Sequence, residues 1–278
     1  MSQTCLNCGS LVKSKYCSEC GQKSDIGRIN MHALLHEFWH GFTHTDKGVL
    51  RLWLDLLLRP RRTYENYFSG HRKHYFSPVV FFLVSFGIYI FLDQKVYDYQ
   101  DHVNILRIGH IYNDEWGRFV HEHAKTIALL MLPVEALLSW ALFFRRRNLA
   151  ECIVFWLFCT GFVNTILILL TPLRLALIVD KKSLDSWLGL LRILIILLHT
   201  LAVFGNKWIN YIKTVFLVVF LTVLNQYFVD YFLYRHIAAD PETIAMEAEE
   251  KKHIVAPTFL EAAEEVFYTG GGYNPWAF

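Results

Sequence analysis

Five apolar blocks separated by polar stretches organise the chain after residue 75. They cover residues 75–92, 124–144, 150–179, 187–204 and 212–234, the first centred on Ser77 to Leu92 and reaching back through Tyr75 and Phe76. A bilayer core of roughly 30 Å takes about 20 apolar residues in helical form. The second, third and fifth blocks meet that with ease, while the first and fourth are short. The third is interrupted at Thr171 and Pro172, where the missing amide and the ring clash kink or end a helix. The pattern predicts an all-α polytopic membrane protein with about five transmembrane helices over residues 75–236, followed by a polar tail over 237–278.

Between residues 30 and 74 the periodicity changes to that of helices lying on a membrane. At 100° per residue Leu34, Leu35, Phe38, Trp39 and Phe42 share one arc, while His32, His36, His40 and His44 form a stripe on the other side. In GVLRLWLDLLLRP the polar residues Arg51, Asp55 and Arg59 make a ridge on an otherwise apolar cylinder, and Pro60 ends it. Such helices bind at the headgroup boundary, and the RPRR that follows attracts anionic lipid of the inner leaflet.

Composition agrees with a membrane body: 54% hydrophobic and 16% aromatic residues exceed ordinary soluble usage. The net charge of +2 carries little information; its distribution carries more. Arg51, Arg59, Arg61, Arg62, Arg72 and Lys73 precede the first block, and acids including Asp93, Asp98, Asp101, Asp114, Glu115 and Glu122 dominate after it. Arg145 to Arg147 follow the second block, and Lys207 and Lys213 follow the fourth. Cytoplasmic loops keep the positive excess, so this alternation places the N-terminus in the cytoplasm and the tail outside.

The first 24 residues form a separate head. Cys5-x2-Cys8 and Cys17-x2-Cys20 are two knuckles, each followed by glycine, Gly9 or Gly21. Two such turns present four thiolates, and glycine permits the positive φ the knuckle needs. The reading is a structural zinc ribbon with cofactor zinc, saturated by its ligands and therefore not catalytic. No apolar core precedes it, as a secretory signal would require, so the head stays in a reducing compartment.

Two further patterns bear on chemistry. Glu135, His199 and Asn225 are polar positions inside apolar blocks, and an ionisable group at mid-membrane costs about 2.5–3.5 kcal/mol on insertion scales, which makes the trio a candidate intramembrane site. Their alternative role is to pair and hold helices together. His36-Glu37-Phe38-Trp39-His40 fits HExxH, the pattern in which two histidines bind zinc and the glutamate activates water. The four-residue histidine stripe explains the same residues as the wet face of a helix. Phosphate-binding loops, activated nucleophiles and dinucleotide motifs are missing from the sequence, and the basic juxtamembrane charges lie nearer to lipid than to any nucleic acid.

The CxxCG…YCxxCGQ head, His44, Asp46, Lys47 and Gly48, Arg59-Pro60, the Tyr67-to-Gly70 turn, Arg72, Tyr75 and Pro78 together resemble an uncharacterised family of bacterial membrane proteins known only as a domain of unknown function. The resemblance covers residues 1–92, and Arg61 stands where members often have glycine. It implies a zinc-ribbon membrane protein of that family and, because the family has no established activity, supplies no function. The expected function is therefore a scaffold or accessory protein whose ribbon binds a cytoplasmic protein partner, rather than an enzyme. The alternatives are a small-solute or lipid transporter using Glu135, His199 and Asn225, and a membrane zinc metalloprotease using His36, Glu37 and His40.

Overall fold

The computed structural model describes residues 3–24, 27–31, 48–73, 75–108, 115–176, 181–205 and 207–227. The HExxH segment and the C-terminal tail lie outside these residues. The head is a minimal hairpin, β1 (Gln3–Thr4) antiparallel to β2 (Leu11–Val12), with Gln3 opposite Val12 and Thr4 opposite Leu11. Its two knuckles repeat one backbone turn. The Cys5 N–H donates to Ser10 O at 2.8 Å and the Gly9 N–H to Cys5 O at 2.9 Å; the Cys17 N–H donates to Gln22 O at 2.8 Å and the Gly21 N–H to Cys17 O at 2.9 Å. Gly9 and Gly21 sit at φ +77° and +70°, a conformation that costs a side chain dearly and glycine nothing.

Eight helices follow: α1 (Val49–Leu58), α2 (Pro60–Phe68), α3 (Pro78–Ile108), α4 (Glu115–Phe143), α5 (Leu149–Leu169), α6 (Thr171–Ala176), α7 (Lys181–Phe204) and α8 (Trp208–Tyr227) among the described residues. Four contain stretches long and apolar enough to cross a membrane: Pro78–Val96, Leu149–Leu169, Trp187–Phe204 and Trp208–Asn225; a shorter apolar stretch, Leu129–Phe143, lies on α4.

The boundaries differ from the sequence pattern in several places, and α4 and α7 begin at Glu115 and Lys181, ahead of the apolar runs at 124 and 187. Helix α3 continues to Ile108, so Asp93 and Asp98 sit on helix instead of in a loop, where Gln94 donates to Asp98 at 3.1 Å and Lys95 approaches it to 3.9 Å. Such i,i+3 and i,i+4 pairs sustain a helix after its apolar run has ended. The third block breaks at Leu170, and Pro172 opens the short α6, a position where its missing N–H is harmless. Helix α8 starts at Trp208, four residues before the apolar run at Ile212.

Helix α5 is the centre of the bundle. Its Asn148 and Glu151 form a capping box, the Asn148 side chain accepting from the Glu151 N–H at 2.8 Å and Glu151 accepting from the Asn148 N–H at 3.1 Å. Helices α3 and α4 pack along it, and at the closest approach a Cβ on Gly161 would lie 2.7 Å from Phe81 Cδ1. Helices α1 and α2 also pack on the bundle, a tighter association than lying at its rim. Leu52, Leu56 and Tyr64 are wholly buried, and Tyr64 meets Phe155 and Phe158 of α5 with ring centroids 5.2 and 6.4 Å apart. The reason is that α1 is apolar nearly all round, so one face goes to protein while Leu50, Leu54, Leu57 and Leu58 point outward. Arg51 and Asp55 keep the polar ridge, 3.8 Å apart.

Candidate metal centre and membrane cavity

The four head cysteines converge. Cys5 Sγ lies 3.6 Å from Cys20 Sγ and Cys8 Sγ 3.6 Å from Cys17 Sγ, and all four sulfurs fall within 4.8 Å of one another. Each knuckle thus pairs across to the other, and the set could hold one metal ion. As thiols they differ: the Ser10 hydroxyl, 3.1 Å away, and the Ser10 backbone hold Cys8 down at about 6, whereas burial pushes Cys20 up to about 11.

The head is not a free module. Gln22, whose backbone carbonyl closes the second knuckle, sends its side chain into the turn between α2 and α3. Its Nε2 donates to Gly70 O at 3.0 Å, and its Oε1 accepts from the backbone N–H groups of Arg72 at 3.3 Å and Lys73 at 3.2 Å. Gln22 is only 3% exposed. Downstream of it, Nε and Nη2 of Arg28 donate to the two oxygens of the Glu151 carboxylate at 2.8 and 3.0 Å, and the Asn148 side chain donates to Ile29 O at 2.8 Å. The Arg147 guanidinium lies 4.5 Å over the Phe68 ring, and Arg146 donates to Phe204 O at 3.1 Å. The head, the α2–α3 turn, the start of α5 and the end of α7 therefore share one end of the bundle. At the other end Arg174 of α6 pairs with Asp93 of α3 at 2.6 Å.

Inside the bundle Glu135 of α4, Arg192 of α7 and Thr222 and Asn225 of α8 line a half-open cavity of about 190 Å³ floored by Trp156 of α5. Two members of the intramembrane trio, Glu135 and Asn225, meet here. The third, His199, sits two turns along α7 from Arg192. There its Nδ1 shares a hydrogen bond of 3.0 Å with the Tyr64 hydroxyl and its ring stacks on Phe162, centroids 5.0 Å apart. His36, Glu37 and His40 lie outside the described residues.

Arg192, a polar position inside the fourth apolar block, lines the same cavity as Glu135. Sequence reasoning passed over Gln22, Arg28 and Glu151. Gln22 and the Arg28–Glu151 pair are made by partners far apart in the chain; the one local signal was the Asn148-x-x-Glu151 capping pattern.

A family model described as a protein of unknown function (DUF3667) matches residues 46–90. That segment holds α1, α2, the turn that receives Gln22 and the first part of α3. No curated protein and no solved structure matches the chain.

Proposed function

We propose that this is a bacterial inner-membrane protein in which a structural zinc ribbon, held in the cytoplasm, braces a five-helix bundle, and that the bundle binds a small polar solute or lipid headgroup between its helices. The observation that carries the functional part is the meeting of Glu135, Arg192 and Asn225 in one cavity. A carboxylate and a guanidinium inside a membrane body are expensive to insert, and lining one cavity leaves both with hydrogen-bonding capacity for a ligand. The ligand class that matches is a small zwitterion, its cation toward Glu135 and its anion toward Arg192.

Zinc suits the head because thiolates about 2.3 Å from a tetrahedral ion stand roughly 3.8 Å apart, close to the 3.6 Å of the two cross-pairs. Four thiolates leave no open position, so the ion's role is structural. The orientation rests on charge: Arg72, Lys73, Arg145 to Arg147 and Lys207 gather at the head's end of the bundle, where the positive-inside rule places the cytoplasm. The count of five rests on connectivity. Both α3 and α5 start at the head's end, so α4 runs back through the bundle although its apolar stretch is short. The outward face of α1 with Arg51, Arg59, Arg61 and Arg62 suits anionic inner-leaflet lipid. A second reading keeps the head as a docking module for a cytoplasmic protein, and Leu6, Leu11 and Tyr16, left exposed on it, favour that reading.

The test uses the full chain in nanodiscs with free phosphoethanolamine as probe, and separately with phosphatidylethanolamine in the disc. Wild type should gain a few degrees in Tm from one source or the other, and Glu135→Gln and Arg192→Met should lose that gain. An equal response, or none, in all three proteins would sink the cavity reading.

A further inference from the structure

The second knuckle and the α2–α3 turn share one residue, and that residue joins the metal centre to the membrane body. The backbone carbonyl of Gln22 accepts the Cys17 N–H at 2.8 Å, so the turn that presents Cys17 and Cys20 also fixes where the Gln22 side chain begins. The amide then gives one donor and one acceptor to residues 70–73, through the three hydrogen bonds to Gly70, Arg72 and Lys73. Gly70 stands at φ +100°, where the chain leaves α2: the His71 N–H still donates to Asn66 O at 2.9 Å, the Arg72 N–H is shared between Gly70 O at 3.0 Å and Gln22, and the Lys73 N–H donates to Gln22. Arg72 closes the same turn from the other side, donating to Tyr67 O at 3.2 Å and to Gly27 O at 3.1 Å.

We infer that metal bound at the four cysteines sets the shape of the α2–α3 turn through Gln22, making the head an internal, metal-dependent clamp on the bundle. The head has little else to order it. Its buried apolar cluster among the described residues is Cys5, Val12 and Cys17, with Cys20 packed against them, and a site of this kind folds with its metal. Loss of the ion releases the Cys17–Gln22 turn, and the Gln22 amide leaves the 70–73 pocket with it. The second anchorage is independent of the cysteines. Arg28 on Glu151 and Asn148 on Ile29 O hold residues 28–29 directly against α5. The release is therefore local, and it frees the turn that connects α3 to α2, the helix whose Tyr64 holds His199 of α7.

The amides that donate to Gln22 report the clamp themselves. Hydrogen–deuterium exchange is measured on the full chain in nanodiscs, zinc-loaded and after chelation under reducing conditions, with metal content followed by elemental analysis. Exchange at Lys73 should rise about tenfold on chelation, the scale of one lost hydrogen bond, while the first turns of α5 keep their protection. Gln22→Ala should give the same rise with one zinc still bound per chain, which separates the clamp from loss of the head. Unchanged exchange at Lys73 after the zinc has gone overturns the inference. So does an unchanged turn in Gln22→Ala, or a rise that spreads equally into α5.

Discussion

Glu151 does two jobs with one carboxylate: it closes the capping box of α5 and it receives Arg28, at 4% side-chain exposure against 61% for its partner. Because the arginine end is solvated, its loss should be mild, and because the carboxylate is buried, its own loss should not be. Arg28→Ala is expected to lower stability by about 1 kcal/mol and Glu151→Ala by about 2–4 kcal/mol, the latter losing the cap as well; thermal unfolding in detergent measures both. At this scale the sequence is legible where chemistry is local. The knuckle needs cysteine, two spacers, cysteine and glycine within one turn, and that is written in consecutive letters. Gln22 and Arg192 carry no such signature, because their partners lie on other elements and only the fold brings them together.

For the helices, apolar runs reveal that segments cross and say little about which one sits in the middle. Length and hydropathy are alike for the Leu149–Leu169 and Trp187–Phe204 stretches, yet 67% of the first is buried and 17% of the second. The difference lies in small and aromatic residues. Gly161 lets α3 close on α5, and Trp156, Phe155 and Phe158 fill the space around it. Gly161→Ala places a Cβ against the buried Phe81 ring, 2.7 and 2.8 Å from two of its carbons, and should cost about 1–3 kcal/mol as an overpacked core does. Gly87→Ala, whose Cβ meets nothing within 4 Å, should be neutral or mildly stabilising. Comparing the two melting temperatures in one detergent separates packing from helix propensity. The extension of α3 to Ile108 was hidden for a related reason: its later turns are held by charged neighbours, which a search for apolar runs passes over.

Across the whole molecule, the alternation of basic and acidic flanks agrees with an arrangement in which the head, Arg145 to Arg147 and the α7–α8 connection share one end. A reporter that folds only outside the cytoplasm should be inactive when fused after Asn206 and active when fused after Gly109; the reverse result would invert the molecule in its membrane. The Arg174–Asp93 pair at the opposite end has a consequence of its own. Fifteen residues separate Pro78 from Asp93, about 22 Å of helix, and the apolar part of α4, Leu129–Phe143, spans about the same length, against a hydrocarbon layer of roughly 30 Å. The apolar stretch of α3 itself runs on past the pair to Val96. A pair held at 13% and 16% exposure sits at that depth shielded by protein, so its charges can be carried inside the span without a thinned bilayer around them.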